Sequence, residues 1–222
     1  MNITTKTVHA TINCAVSVAL LLAASLHAHA TDVNGVTEQT VTNNSLTNPL
    51  TIENGGILDL NGTTQTVTTT TLGTGGSTLE TTNGASMLTS TTVIVQGAGN
   101  VVGTLLTLAG PITQNANSGL TVAGTAGSDT LASNAILAGT GSTGALILNG
   151  ATVSPGTGAS PTGNLTVASA TFNSNSTLAM TLSSSASSEL VVTGAATING
   201  TNSITFTGST GATTTTGQGN YV

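Results

Sequence analysis

Apolar and polar residues alternate in many short segments of the chain, for example at residues 178–182, 190–192 and 204–206. A period of two sends successive side chains to opposite faces, as a half-buried strand requires. Between residues 135 and 208 no segment has the 3.6-residue period of a helix. Turn-forming Gly, Asn, Ser and Pro lie between the segments. The pattern predicts an all-β chain.

Asn-Gly pairs mark several of the predicted turns, because both residues tolerate a positive φ. They occur at Asn54-Gly55, Asn61-Gly62, Asn83-Gly84, Asn149-Gly150 and Asn199-Gly200. Three later strands open at Leu165, Leu178 and Leu190, whereas the earlier steps are less even. The sequence therefore indicates a degenerate repeat.

Many short strands separated by turns are typical of either a β-sandwich or a solenoid. Similar units follow one another here, and Thr and Asn recur in a way that suits ladders on stacked coils. We therefore predict a right-handed parallel β-helix with about 20 residues per coil and a rise of about 4.8 Å. A β-sandwich and a partly disordered low-complexity chain remain the alternatives.

Residues 1–30 are typical of a signal peptide. Lys6 gives a positive start, residues 15–26 form an apolar core, and Ala28-His29-Ala30 provides a small-x-small cleavage site. The apolar core is shorter than the about 20 residues of a membrane span. The sequence predicts export through the inner membrane, a mature chain from Thr31 with no membrane span, and a location at the cell surface or outside the cell.

The predicted mature chain contains no Lys, Arg, His or Cys, but carries all 7 carboxylates of the sequence. This composition argues against nucleic-acid binding, disulfide bonds, and histidine or thiolate catalysis. Its only aromatic residues are Phe172, Phe206 and Tyr221. A core without aromatic bulk favours a narrow solenoid interior over two packed sheets.

The carboxylates offer few candidate sites. Glu53 and Asp59 are the closest pair apart from Asp32 and Glu38. We expect Asp59 to point outward from its strand, and we interpret both Glu53 and Asp59 as solvated surface acids. Asp129 has no second acid in its loop and is likewise expected to be solvated. The sequence thus predicts no enzyme, no catalytic residue, no cofactor and no metal.

Two further motifs have simpler interpretations. Residues 97–99 and 139–141 are Gly-x-Gly segments without a following helix, so they are predicted to be turns and not phosphate loops. Residues 63–71 are rich in Thr, as expected for a strand with a polar outer face. Regular Thr-x-Thr pairs on a flat β-helix face would instead suit ice binding, but the pairs do not recur at even steps in the sequence.

Residues 55–62, GGILDLNG, resemble the autotransporter-associated β-strand repeat, whose usual form is Gly-Gly-x-Leu-x-Leu-x-Gly. Residues 136–167 resemble a segment common near the end of autotransporter passengers. Its parts are a Gly-Thr-Gly turn at 139–141, a strand at 146–148, an Asn-Gly turn at 149–150, a Ser-Pro-Gly turn at 154–156 and a strand at 165–167. The resemblance covers roughly residues 50–208.

This resemblance implies an exported passenger that acts as a structural or adhesive surface module. Its partners would be host or cell-surface glycans or proteins, or neighbouring passengers. Alternatives are an ice-binding or carbohydrate-contacting solenoid, or a stalk for an enzyme domain outside this chain. Family members are followed by an outer-membrane barrel, which we expect to be separate or missing because only Tyr221 is aromatic after Phe206.

The predicted organisation has four parts. Residues 1–30 are the signal peptide, and residues 31–49 are an amino-terminal cap or flexible entry, since the end units of a stacked fold are atypical. Residues 50–208 contain the solenoid repeats. Residues 209–222 are expected to form an incomplete last rung or a tail.

Overall fold

The computed structural model describes residues 31–35, 38–42 and 45–208. Within these ranges the chain forms strands and turns, with no helix. The predicted signal peptide and the predicted tail at 209–222 lie outside the described residues. The strands are β1 (Thr31–Asn34), β2 (Glu38–Thr40), β3 (Leu50–Glu53), β4 (Ile57–Asp59), β5 (Thr64–Leu72), β6 (Thr78–Glu80), β7 (Ser86–Val95), β8 (Asn100–Val102), β9 (Leu106–Ala109), β10 (Ile112–Gln114), β11 (Gly119–Val122), β12 (Thr125–Ala126), β13 (Asp129–Leu131), β14 (Ile136–Gly139), β15 (Ser142–Asn149), β16 (Thr152–Pro155), β17 (Asn164–Asn173), β18 (Thr177–Leu182), β19 (Glu189–Val192), β20 (Ala196–Ile198) and β21 (Ser203–Gly208).

Each coil of the chain passes along three faces. Face 1 consists of β9, β12, β19 and the first halves of β5, β7, β15 and β17. Face 2 consists of β1, β3, β10, β13, β20 and the second halves of the same four long strands. Face 3 is the separate 9-stranded sheet β2-β4-β6-β8-β11-β14-β16-β18-β21. The long strands bend from face 1 to face 2 and so join these two faces into one 12-stranded sheet.

The named strands pair in parallel throughout, each with its counterpart in the next coil. The length of a coil is not constant, since Ile136 on face 3 pairs with Thr152, whereas Leu178 pairs with the more distant Ile204. The predicted all-β parallel solenoid is therefore confirmed, and the β-sandwich alternative is not the fold that forms. The right-handed sense of the coil stays a prediction.

The core is a set of aliphatic rows that run through the centre of the coils. On face 3, for example, Leu58, Leu79, Val102 and Val122 follow one another in register and are all fully buried. Burying one such side chain contributes about 1.5–3 kcal/mol, and each row is buried by the coils above and below it. Stacking of neighbouring coils, more than packing within one coil, therefore holds the fold together.

Tight turns connect face 2 to face 3, and three of the five predicted Asn-Gly pairs, Asn54-Gly55, Asn149-Gly150 and Asn199-Gly200, lie at these turns. Asn54 and Gly55 have φ values of 52° and 81°, and Asn117, Asn134 and Asn175 also have positive φ. These Asn residues adopt the left-handed conformation at a lower cost than other side chains. The coil length varies mainly at the connections from face 3 to face 1, which have 2 residues between β14 and β15 and 8 residues between β16 and β17.

Candidate functional site

Asp59 points outward from β4, as expected, but its side chain is buried and not solvated. It is on the opposite side of β4 from Leu58, but it is only 1% exposed because the turn after β6 covers it. Its Oδ1 accepts hydrogen bonds from the backbone amides of Asn61 (2.7 Å) and Thr82 (3.0 Å), and its Oδ2 accepts one from the Thr82 hydroxyl (2.6 Å). The expectation of a solvated surface acid was wrong, because the covering turn comes from the next coil.

These hydrogen bonds decide the ionisation of Asp59. Burial by itself would raise the pKa of this carboxyl, but the hydrogen bonds from Thr82 and Asn61 outweigh burial, and the pKa is lowered. Asp59 is therefore a carboxylate that joins two coils, and both of its oxygens are occupied. An acid held in this way is not available as a general acid.

Glu53 and Asp59 are not brought together as a catalytic pair. Glu53 ends β3 on face 2, where its Oε1 accepts a hydrogen bond from the Asn34 amide (3.1 Å), whereas Asp59 ends β4 on face 3. Glu80 follows Asp59 in register on face 3, and the pKa of Glu80 is raised by burial and by the charges of Glu38 and Asp59. Among the described residues no group of three or more acidic, His or Cys side chains is arranged to hold a metal ion.

Asp129 is also buried, contrary to the expectation from sequence. It begins β13 with its side chain inside the solenoid, on the row between Ile112 and Leu146, and is 1% exposed. Gln114, which is fully buried, donates a hydrogen bond from Nε2 to Asp129 Oδ2 (2.6 Å). The expectation of a solvated charge was wrong because strand alternation puts Asp129 on the same inward side as Leu131.

The Asp129–Gln114 pair has an incomplete hydrogen-bond set. Asp129 Oδ1 and Gln114 Oε1 are both buried acceptors without a partner in the described part of the chain. Burial raises the pKa of Asp129 to about 7, although hydrogen bonds from Gln114 and the Thr130 backbone act in the opposite direction. Protonation at Oδ1 would turn one of the two acceptors into a donor, so the neutral acid suits this site better than the carboxylate.

A continuous row of β-branched side chains runs along the outside of face 2, and we call it the threonine row. Its members are in register from coil to coil: Thr51, Thr71, Ile94, Thr113, Thr130, Ile147, Thr171 and Thr197. Adjacent strands are about 4.8 Å apart, so the row presents a methyl or hydroxyl group at that spacing. Exposure varies along the row, with Thr113 and Ile147 exposed and Thr130 half-buried.

The threonine row is not apparent in the sequence, because the step between its members changes from coil to coil. The step from Thr113 to Thr130, for example, is shorter than the step from Thr171 to Thr197. The Thr-rich segment at residues 63–71 contributes only Thr71 to the row. A signal was present in the later coils, where a Thr-x-Asn or Ile-x-Asn motif closes four strands of face 2, with β13 as the exception. The motif occurs at Thr113 to Asn115, Ile147 to Asn149, Thr171 to Asn173 and Thr197 to Asn199.

An asparagine ladder borders the last three members of the threonine row, on the side where the strands of face 2 end. Asn173 Nδ2 donates to Asn149 Oδ1 (2.7 Å), and Asn199 Nδ2 donates to Asn173 Oδ1 (3.0 Å). The Asn173 amide thus donates to the coil before it and accepts from the coil after it, as in stacked amide ladders. Beside the ladder, the described residues Ile147, Thr171 and Thr197 form an uncharged part of the row, whereas the start of the row at Thr51 lies next to Asp32 and Glu53.

A shallow groove of about 210 Å³ lies on face 3 beside the turn that follows β16. Its lining includes the hydroxyls of Thr121, Ser154 and Thr181, and it contains no charged or aromatic side chain. It is smaller than the about 300–1,000 Å³ of typical small-molecule sites. The groove therefore offers hydroxyl contacts but no anchor for a tightly bound ligand.

Comparison with protein-family models, with curated proteins and with solved structures gives no match for this chain. In the described ranges, no helix has the length and apolar character needed to cross a membrane. The described structure thus has three faces built of parallel strands, a buried acid–amide pair and a regular row of outward side chains on face 2.

Proposed function

We propose that this chain is an exported, passenger-type β-solenoid that acts as a structural or adhesive surface module. Residues 50–208 resemble autotransporter passenger repeats, and a parallel solenoid is the fold that such repeats imply. Residues 1–30 supply the export signal in this proposal. The coils form a rod that would hold its faces away from the surface of the cell.

The observation that carries the proposal is the threonine row beside the asparagine ladder. An array of this kind makes many weak polar contacts at a fixed spacing and offers few aromatic anchors. Such contacts suit repetitive partners, such as surface glycans or a neighbouring passenger, because many weak contacts add together. Acidic residues do not contribute to this part of face 2, in line with an adhesive role and not a hydrolytic one.

The export half of the proposal is tested by fusing residues 1–30 to an alkaline phosphatase without its own signal. We expect active enzyme outside the inner membrane and a processed product that begins at Thr31. A matched fusion with Leu21→Arg and Leu22→Arg interrupts the apolar core and should stay unprocessed. An inactive wild-type fusion, or equal activity of both fusions, would count against export.

The adhesive half is tested with two double variants in the same pair of neighbouring coils. Thr113→Glu with Thr130→Glu changes the threonine row on face 2, and Thr107→Glu with Thr125→Glu changes the outer side of face 1. We expect the first variant to lose about tenfold or more of the attachment of immobilised protein to cells or glycans, equal to about 1.4 kcal/mol. The second should bind like the wild type. Equal losses in both, or no binding by the wild type, would contradict the assignment to face 2.

Ice binding is the second candidate, and the threonine row is the observation that favours it. The row holds hydroxyl and methyl groups at the strand spacing although the sequence steps are uneven. Purified mature protein should then show thermal hysteresis, and the Thr113→Glu and Thr130→Glu variant should not. The absence of hysteresis at millimolar concentration would remove this candidate and leave adhesion untouched.

A further inference from the structure

The Asn-Gly pairs of the chain are chemically reactive as well as turn-forming. The backbone nitrogen of the Gly can attack the side-chain carbonyl carbon of the Asn, because a residue without a Cβ atom allows the close approach. The N–C bond that forms closes a succinimide ring, and the side-chain nitrogen leaves as ammonia. Water then opens the ring to Asp or to isoaspartate, so an amide becomes a carboxylate. The reaction needs a free attacking nitrogen and an Asn that can turn towards it.

The fold protects three of the Asn-Gly pairs. Six pairs lie in the described residues, namely the five predicted turns and Asn34-Gly35. In three of them the attacking nitrogen is engaged as a hydrogen-bond donor. These bonds run from Gly35 to the Glu53 carbonyl oxygen (3.2 Å), from Gly62 to Thr81 Oγ1 (3.1 Å) and from Gly150 to Ser176 Oγ (3.2 Å). The amides of Gly55, Gly84 and Gly200 have no partner in the described part of the chain, so these nitrogens are free to attack.

Asn83-Gly84 has the most freedom of the three unprotected pairs. The backbone amides of Asn54 and Asn199 donate to carbonyl oxygens of neighbouring coils (2.7 and 2.8 Å), which holds both residues in place. Asn83 makes no backbone hydrogen bond within the described ranges, and its Nδ2 donates to Asn61 Oδ1. Asn83 and Gly84 are both exposed, and a Cβ atom on Gly84 would meet nothing within 4 Å. The Asn83 side chain can thus reach the Gly84 nitrogen by giving up one exposed hydrogen bond.

We propose that Asn83 is a deamidation site of the folded protein, where cyclisation onto the Gly84 nitrogen yields Asp or isoaspartate without an enzyme. The conversion consumes one water molecule, releases one ammonia and adds one negative charge to the chain. The pair lies in the turn after β6, which also covers Asp59. The modification therefore falls on a contact between the coils of β4 and β6. The proposal needs only the folded chain and does not depend on export or adhesion.

The product fits this turn less well than Asn does. A carboxylate at position 83 has no hydrogen to donate to Asn61 Oδ1, so two acceptors would face each other. Its charge would lie one residue from Thr82, whose amide and hydroxyl hold the Asp59 carboxylate (3.0 and 2.6 Å). Isoaspartate would also lengthen the main chain of the turn by one carbon atom. Deamidation should therefore loosen the cover of Asp59 in molecules that have aged.

The proposal is tested by incubating the purified protein in mildly alkaline buffer, both folded and unfolded in urea. Pepsin digestion and mass spectrometry then measure the conversion of amide to acid in each Asn-Gly pair. In urea the six pairs should react at similar rates, because each Asn precedes a Gly. In the folded protein Asn83 should react fastest and at close to its rate in urea. Asn149 should react at least about tenfold more slowly than in urea, since its reaction requires local opening that costs about 1.4 kcal/mol or more.

The effect on the turn is tested with Asn83→Asp, which carries the product charge from the start. Hydrogen exchange of residues 81–85 should be faster in this variant than in the wild type. Asn134→Asp is the matched control, since Asn134 is also an exposed turn residue but makes no side-chain hydrogen bond in the described structure, and it should leave exchange at 81–85 unchanged.

Three results would overturn the proposal. The first is an Asn83 that stays unmodified in the folded protein while the unfolded protein reacts. The second is conversion of Asn149 as fast as that of Asn83 in the fold, which would mean that the hydrogen bonds give no protection. The third is faster conversion of Asn54 or Asn199 than of Asn83. Unchanged exchange at 81–85 in Asn83→Asp would reject the effect on the turn, and if this variant fails to fold, the same comparison is made between fresh and aged wild-type protein.

Discussion

At the scale of single residues, Asp129 shows how the solenoid handles a polar group in its core. Its neighbours on the inward row are Ile112 and Leu146, which cannot hydrogen-bond to it. Gln114 is its one side-chain partner among the described residues, which include no Lys, Arg or His. Burial raises the pKa of the acid to about 7, so the neutral form predominates below that pH, and the amide of Gln114 matches this form.

The first prediction is that stability falls as the pH rises towards neutrality. The pKa of Asp129 is raised in the folded state, from 3.8 to about 7. The folded chain therefore binds more protons than the unfolded chain between these values. The contribution of the neutral acid is fully present below pH 3.8, is lost progressively up to about pH 7, and amounts to on the order of 4 kcal/mol.

Asp129→Asn is the matched variant for this prediction. Its amide supplies the donor that the protonated acid would supply, so the free energy of unfolding should be higher than that of the wild type at pH 8 and nearly equal at pH 4. Urea unfolding of the wild type and the variant between pH 4 and pH 8 measures these free energies. A wild-type curve that rises with pH, or an Asn variant with the same slope, would show that Asp129 is charged in the fold.

The sequence could not predict the burial of Asp129 or of Asp59. Asp129 follows the small residues AGTAGS, and the one local sign that it points inward is its alternation with Leu131 in a strand of three residues. Asp59 is covered by Thr82, a residue of the next coil. Burial in a solenoid depends on which residues of other coils stand in register, and this information is spread over steps of varying length.

At the scale of elements, glycines set how closely neighbouring coils approach at the bend between faces 1 and 2. Gly110 lies between β9 and β10, and Gly127 lies one coil later between β12 and β13. The Gly127 amide donates to the Leu108 carbonyl (2.9 Å). A Cβ atom on Gly127 would lie 1.8 Å from the carbonyl oxygen of Gly110, which is backbone and cannot rotate away.

The second prediction follows from this contact. Gly127→Ala should destabilise the fold by about 1–3 kcal/mol, because the two coils must separate to admit the methyl group. Gly158→Ala is the control, since a Cβ atom there meets nothing within 4 Å, and it should change stability by less than about 0.5 kcal/mol. Thermal or urea unfolding of the two variants measures both changes in stability. Equal effects of the two substitutions would show that the coils are not in close contact at Gly127.

Most elements were predictable from sequence, but the three faces were not. Alternation identified the strands at 178–182 and 204–206, and the Asn-Gly pairs identified turns such as Asn54-Gly55. The bend that divides β7 between faces 1 and 2 falls near Thr91, where the sequence has no Gly or Pro. A bend of this kind is set by stacking on the strands of adjacent coils, and local residue preferences do not encode it.

At the scale of the whole molecule, burial and charge are graded along the rod. Five of the 7 carboxylates lie between residues 32 and 80, whereas the rest are the buried Asp129 and the exposed Glu189. The inward residues of β11, β14 and β16 are buried, those of β18 are half-buried, and β20 is exposed throughout. In a stack held by nearest-neighbour contacts, the coils with the least burial are the first to open.

The third prediction is a gradient of amide hydrogen exchange along the rod. Amides of β19–β21 should exchange fastest and those of β11, β14 and β16 slowest, because opening starts at the coils with the least burial. Mass spectrometry of pepsin fragments of the mature protein measures these exchange rates. Uniform exchange along the chain would mean that the coils open together, and faster exchange in β11 than in β20 would contradict the gradient.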